Sequence, residues 1–217
     1  RSRLAVHGTV LAAEAAIADG MAANLAGGTH HAFADHGEGF CVLNDVAVAI
    51  HALRGDSQVR RALVVDLDVH QGNGTAALFA DDPAVYTLSL HGERNYPVRK
   101  ERSTRDVGLP DGTGDEDYLA ALDPALVTAL SAADAGIVFY VAGVDVVAGD
   151  HYGRLALSEA GLRRRDRLVI DAVRKAGLPL VIVLGGGYAP TTLRTAELHA
   201  IVFEEAVRRW RLEREAS

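Results

Sequence analysis

Residues 61–74 read "RALVVDLDVHQGNG". The run "ALVV" is apolar, rich in β-branched residues and without a polar face, which is a strand pattern. A strand apolar on both faces belongs in a parallel sheet covered on both sides, the arrangement of α/β proteins. This strand runs directly into Asp66, Asp68 and His70 and then into a glycine-rich turn. Asp68 and His70 are two residues apart, so on an extended backbone they point the same way. That spacing suits two ligands of one metal ion, or two polar residues finishing the end of a strand.

Outward from this stretch, helix and strand patterns alternate. Residues 8–20 are alanine-rich and end at Gly20, which predicts a helix. A short strand is expected over 21–27. Residues 44–55 form a helix pattern that opens on Asn44 as a cap. Strands are expected over 61–68, 84–90, 136–143 and 178–186. Residues 92–114, with prolines, glycines and many charges, are expected to be one long surface loop. A helix over 115–134 is expected to break or restart at Pro124. Residues 158–177 form a helix capped by Ser158 and stopped by Gly177, and 190–214 a final helix. No repeat, low-complexity tract or linker interrupts the series. The pattern predicts one α/β domain over 1–217, a three-layer α/β/α sandwich with a mostly parallel central sheet.

In such sheets the functional site lies beyond the carboxyl ends of the strands. The unusual polar and glycine clusters gather there: "GTHHAF" after 21–27, "DLDVHQGNG" after the central strand, "HGERNYP" after 84–90, "VDVVAGDHYG" after 136–143 and "GGGY" after 178–184. Asp68, His70 and a carboxylate from another strand end would make a three-ligand site with an open position. Asp150, following "AG", is the expected third ligand. Such a set suits Zn²⁺, and also Fe²⁺, Co²⁺ or Mn²⁺. His30 and His31 could serve as general base and acid beside a metal-bound water, oriented by Asp66 and Asn73. Either histidine could equally be a ligand or a hydrogen-bonded loop residue. Tyr188, behind three glycines that include Gly186, could donate to a developing oxyanion, or be an aromatic on a turn. "QGNGT" lacks the Lys-Ser/Thr of a phosphate loop.

Composition narrows the partners. The net charge is −7 over 217 residues, which argues against general affinity for nucleic acid. No apolar run reaches the roughly 18 residues needed to span a bilayer. Cys41 is the single cysteine, so no internal disulfide forms, and a reducing, cytoplasmic setting is expected.

Taken together, "GGTHHAFADHGEGFCVLNDVAVA", "VVDLDVHQGNGT", "AGVDVVAGDHYGRLALS" and "LGGGY" resemble the histone deacetylase family, most closely its class IV branch and bacterial relatives. The resemblance covers nearly the whole chain in order and spacing. It implies the arginase–deacetylase fold and zinc-dependent hydrolysis of N-acyl-lysine amides, acetyl or longer. It implies Asp68, His70 and Asp150 as zinc ligands. His30 and His31 would be the proton-transfer pair, backed by Asp66 and Asn73 respectively, and Tyr188 would bind the substrate carbonyl. Gly39 and Phe40, with Gly186, would line the substrate channel. A structural K⁺ would be held by Asp66, Asp68, His70, Ser89 and Leu90. The substrate would be an acyl-lysine protein or peptide, or a small acylated amine. Family members carry a segment ahead of the first helix seen here, so the chain is expected to lack an N-terminal piece. Gln71 and Asn73 stand where other classes have His and Asp, and a neutral Asn73 makes His31 less basic. An acetylpolyamine or small-metabolite amidohydrolase, and a catalytically silent acyl-lysine-binding module, are the alternatives.

Overall fold

The computed structural model describes residues 1–215. Six strands form one parallel sheet: β1 (Met21–Asn24), β2 (Ala62–Asp66), β3 (Val85–Gly92), β4 (Arg105–Leu109), β5 (Ile137–Val141) and β6 (Leu180–Val183). Their spatial order is β1-β6-β5-β2-β3-β4. The helices are α1 (Ser2–Asp19), α2 (Asp45–Gly55), α3 (Asn73–Leu78), α4 (Asp115–Ala133), α5 (Glu159–Lys175) and α6 (Thr192–Glu215). Among the described residues, none of these helices is long and apolar enough to cross a membrane.

The period-2 alternation of the strands builds two cores. Leu63, Val65, Val138, Tyr140, Leu180 and Ile182 face Leu122, Leu126, Val169, Ile170 and Ile201 from α4, α5 and α6. Ala62, Val64, Phe139, Val141, Val181 and Val183 face Ala13, Ala16, Val46 and Ile50 from α1 and α2. Both faces are dry, so "ALVV" needs no polar side. This is the three-layer sandwich expected from the sequence.

Strand order sets the site. From β2 the chain moves outward to β3 and β4, and then returns to the other side of β2 as β5 and β6. The switch lies between β2 and β5, whose register pairs Asp66 with Val141. A crevice opens beyond the carboxyl ends at such a switch.

Two sequence expectations are corrected. The stretch 92–114 is not wholly loop, because β4 pairs in parallel with the end of β3. "RDVGL" is an exposed edge strand with little apolar content, so its sequence carries almost no strand pattern. Helix α4 does not break at Pro124 but continues through it. Tyr118 and Leu122 before the proline and Leu126 and Ala129 after it are buried in one core, and that packing outweighs one lost backbone bond. The short α3 had no sequence pattern of its own. Elsewhere the caps are as read: Asn44 accepts from Ala47 N and Ser158 from Gly161 N.

Two buried carboxylates tie the helices to the sheet and the loops. Asp45, at the start of α2, accepts from Thr9 Oγ1 (2.5 Å), Gly28 N (3.1 Å) and Thr29 N (2.7 Å). It thereby holds the turn that leads into His30. Glu205 on α6 is buried and meets Arg163, Arg167 and Arg208 at 3.1, 2.8 and 2.7 Å. Burial opposes charge on Glu205, but the three guanidinium groups prevail and hold its pKa at about 2.

Asp45→Ala should cost about 3 kcal/mol of unfolding free energy in urea titration, because it strands several buried N–H and O–H donors. The depressed pKa of Glu205 contributes stability that is complete above the ordinary glutamate range. That contribution is lost as pH falls from there toward 2. Glu205→Gln should therefore flatten the acid limb of a melting-temperature-against-pH curve.

Candidate active site

The strand ends deliver their polar residues to one cavity of about 800 Å³, lined by His30, His31, Gly39, Phe40, Asp68, His70, Tyr96, Gly186 and Tyr188 among others. At its floor, Asp68 and His70 from the β2 end meet Asp145 from the β5 end, with ligand atoms all within 4.8 Å of one another. Asp68 Oδ1 accepts from His70 Nδ1 at 2.9 Å. Its Oδ2 accepts from Gly186 N at 2.6 Å. Asp145 Oδ1 accepts from Val69 N at 2.9 Å. Gly186 has to be glycine here, because a Cβ would lie 2.9 Å from Asp68 Oδ2 and collide with Asp145 Oδ2.

Asp150, the expected third ligand, is not in this group. Its Oδ1 accepts from Tyr152 N and Gly153 N, both at 2.9 Å, and its Oδ2 from Tyr188 N at 2.6 Å. Its oxygens close a turn and anchor the Tyr188 loop. The physical reason is strand register. β5 ends beside β2, so Asp145, four residues past Val141, comes level with the Asp68–His70 stretch. The chain has turned away before Asp150. The "AG" before Asp150 leads into the turn that its Oδ1 closes.

The three residues fit a divalent cation. Asp68 and Asp145 are buried carboxylates placed against one imidazole. Asp145 Oδ2 is buried without a hydrogen bond. Its contact with His70 Nδ1 at 3.2 Å is an ion-pair distance without hydrogen-bond geometry. Burial, and then the charge of Asp68, push the Asp145 carboxyl up to about 7. Two carboxylate oxygens and an imidazole nitrogen, one oxygen otherwise unpaired, are a donor set for zinc or a similar ion.

Beside this group lie the two histidines, rings 4.1 Å apart. His30 Nδ1 is 2.7 Å from Asp66 Oδ2, and His31 Nδ1 is 2.7 Å from Asn73 Oδ1. These are the expected partners, and the two rings differ in charge state. Burial works against charge on both. On His30, Asp66 and Asp68 overcome it and raise the pKa to about 9. On His31, burial and the neighbouring His30 lower it to about 3. Tyr188 faces them from the β6 loop, with Tyr152 at 4.8 Å and Phe40 at 6.3 Å between ring centroids. Burial and then Asp68 raise its phenol, keeping it a donor. Phe40 is 84% exposed at the mouth and sits at φ 65, and Gly39 at φ 52. A non-glycine residue in that region is held there by its surroundings. The residues named for potassium are neighbours: Asp66 pairs in register with Ser89, and Leu90 follows it along β3.

Other residues of the site stand out only once the chain is folded. Asp145 was visible as an acid past a strand end, but strand order was needed to rank it above Asp150. Tyr96 and Glu38 line or flank the cavity from loops. Arg165 on α5 is fully buried behind the floor. Its Nη1 donates to Gly143 O (2.6 Å) and Leu67 O (3.2 Å), bracing the β5 and β2 ends together. Its Nε and Nη2 donate to Asp166 Oδ1.

The parallel α/β sandwich brings an Asp-His-Asp group that could hold a metal ion, and two backed histidines, to its switch point. Residues 1–202 match the histone deacetylase domain, and the chain belongs to the histone deacetylase family. An uncharacterised protein of Picosynechococcus is 47% identical over 206 residues, 95% of this chain and 69% of that protein. Histone deacetylase 2 of Arabidopsis thaliana is 37% identical over 88% of this chain and 50% of its own length. The histone deacetylase-like amidohydrolase of Pseudomonas aeruginosa is 33% identical over 74% of this chain and 45% of its own. Among solved structures, the acetylpolyamine aminohydrolase of Burkholderia pseudomallei superposes with a TM-score of 0.78 at 29% identity, covering 93% of this chain and 60% of that one. The chain thus spans 45% to 69% of the length of these relatives. Family and fold together indicate a deacetylase or amidohydrolase.

Asp145→Ala should weaken zinc binding well beyond the about 10–100-fold that loss of an outer partner costs, measured by competition with a chromogenic chelator. Asp150→Ala should keep the metal and lose turnover, because the Tyr188 loop comes free. The reverse pattern would restore Asp150 as the ligand.

Proposed function

We propose that this chain hydrolyses N-acyl-lysine amides, acetyl or longer, in a zinc-dependent reaction. The observation that carries the reading is the pair of differently backed histidines beside the buried Asp68–His70–Asp145 group. Asp68 Oδ, His70 Nδ1 and Asp145 Oδ2 would hold the ion, and Fe²⁺ or Co²⁺ suits the same donors. A bound ion supplies Lewis-acid polarisation of the amide carbonyl and a more acidic water.

The rest of the chemistry falls to the chain. His31 is neutral and takes the proton of the attacking water. His30, kept protonated against Asp66, holds the charge that returns to the leaving amine. Tyr188 donates its phenol hydrogen to the oxygen that gains charge, and its loop is held in place by Asp150. Gly39 and Phe40 shape the mouth through which the lysine stem passes, and Gly186 lets the floor close on Asp68. The products are free lysine and a carboxylate.

A structural K⁺ at Asp66, Asp68, His70, Ser89 and Leu90 belongs to the same proposal, supported by the adjacency of those residues at the β2 and β3 ends. So does a cytoplasmic setting, on the single Cys41. A small acylated amine is the second reading, favoured by the fold shared with an acetylpolyamine aminohydrolase.

The test is hydrolysis of peptides bearing acetyl-, octanoyl- and myristoyl-lysine, with acetylated polyamines alongside, by zinc-loaded protein. Tyr188→Phe should lower kcat by about 10²–10³ on the preferred substrate with the metal retained. Preference for the acetylated polyamines would favour the second reading, and bound zinc with no turnover on any of these would count against both.

A further inference from the structure

Asn73 has a side chain whose two ends are alike in outline and opposite in hydrogen-bonding sense. One end lies 2.7 Å from His31 Nδ1, the other 3.3 Å from Glu38 Oε1. Left alone, such an amide can turn over. With its oxygen toward His31, the imidazole carries its hydrogen on Nδ1 and keeps a lone pair on Nε2. With its NH₂ group toward His31, Nδ1 has to accept, and the hydrogen moves to Nε2. An imidazole protonated at Nε2 has no lone pair there to take a proton from water. Whether His31 is a base is therefore decided by which way Asn73 faces. An aspartate at this position would raise no such choice, because both its oxygens accept.

Glu38 removes the choice. A carboxylate accepts and does not donate, so the NH₂ group of Asn73 has to point to it. The same Oε1 accepts from the Tyr96 hydroxyl. Oε2 lies 3.5 Å from His36 Nε2. The Tyr96 ring in turn packs edge-on to His31, 5.0 Å between centroids. A tight turn, closed by Cys41 N to Glu38 O at 2.8 Å, keeps Glu38 over Asn73. Glu38 meets none of the three residues of the metal group.

We propose that Glu38 is a positioning residue: by fixing the orientation of the Asn73 amide it holds His31 in the Nδ1–H tautomer, with Nε2 left to act as the base. The proposal rests on the acyl-amide hydrolysis argued above. It places the missing carboxylate of the second histidine one residue further out, where it sets direction without adding charge to the imidazole contact.

The direct measurement is the ¹⁵N spectrum of histidine-labelled, zinc-loaded full chain without substrate, where the two tautomers have distinct shifts. The wild type should show His31 as Nδ1–H, and Glu38→Ala should show mixed or Nε2–H signal. On the preferred acyl-lysine peptide, Glu38→Ala should lower kcat about tenfold with KM within about twofold. Glu38→Gln, which keeps a carbonyl acceptor, should restore most of it. In an Asn73→Asp background the cost of Glu38→Ala should vanish. An Nε2–H His31 in the wild type, an unchanged His31 spectrum in Glu38→Ala, or an equal penalty in both backgrounds would overturn the proposal. The spectrum decides this without turnover, so an inactive enzyme would strike the hydrolase reading and leave the tautomer question answered.

Discussion

Two carboxylates, Asp68 and Asp145, are buried side by side at the switch between β2 and β5, and much of the surrounding structure answers to that fact. Bringing like charges together out of water is costly unless positive charge or hydrogen bonds compensate. The fold supplies His70 between them and the N–H groups of Val69 and Gly186. These are not enough to pair every oxygen, since Asp145 Oδ2 has no hydrogen bond. Two carboxylates and an imidazole gathered this closely would suit a divalent cation. The glycines of the β6 loop follow from the same constraint, because a side chain at Gly186 would occupy the space the carboxylates need.

The second constraint is that two adjacent imidazoles should not share one charge state. His30 is backed by a carboxylate and His31 by a neutral amide. One histidine is set to hold a proton and the other to receive one. The carboxylates of Asp66 and Asp68 outweigh burial at His30, while at His31 burial and the charge of His30 prevail.

Loop anchoring repeats one device. Asp45 gathers the N–H groups ahead of His30, and Asp150 gathers those around Tyr152 and Tyr188. In each case a carboxylate fixes backbone that carries a functional side chain, which is how irregular segments gain the precision of strands. Seen this way, Asp150 matters to the site through Tyr188.

Local pattern set the layers and marked the end of the sheet that matters. "ALVV" could only be a strand dry on both faces, and polar clusters after successive strands marked the carboxyl edge. Asp68 and His70 were legible because period-2 spacing is local. So were the Asn44 and Ser158 caps. The family motifs named the histidines with their partners, and the distances agree. What tertiary structure decided depends on strand order and register, which local pattern does not carry. Asp145 outranks Asp150 because β5 lies beside β2. β4 is a strand because β3 offers it an edge, not because "RDVGL" asks for one. Pro124 stays inside α4 because a core on both sides of it outweighs one missing bond. Glu38 reaches Asn73 across thirty-five positions of chain, a contact that only folding creates.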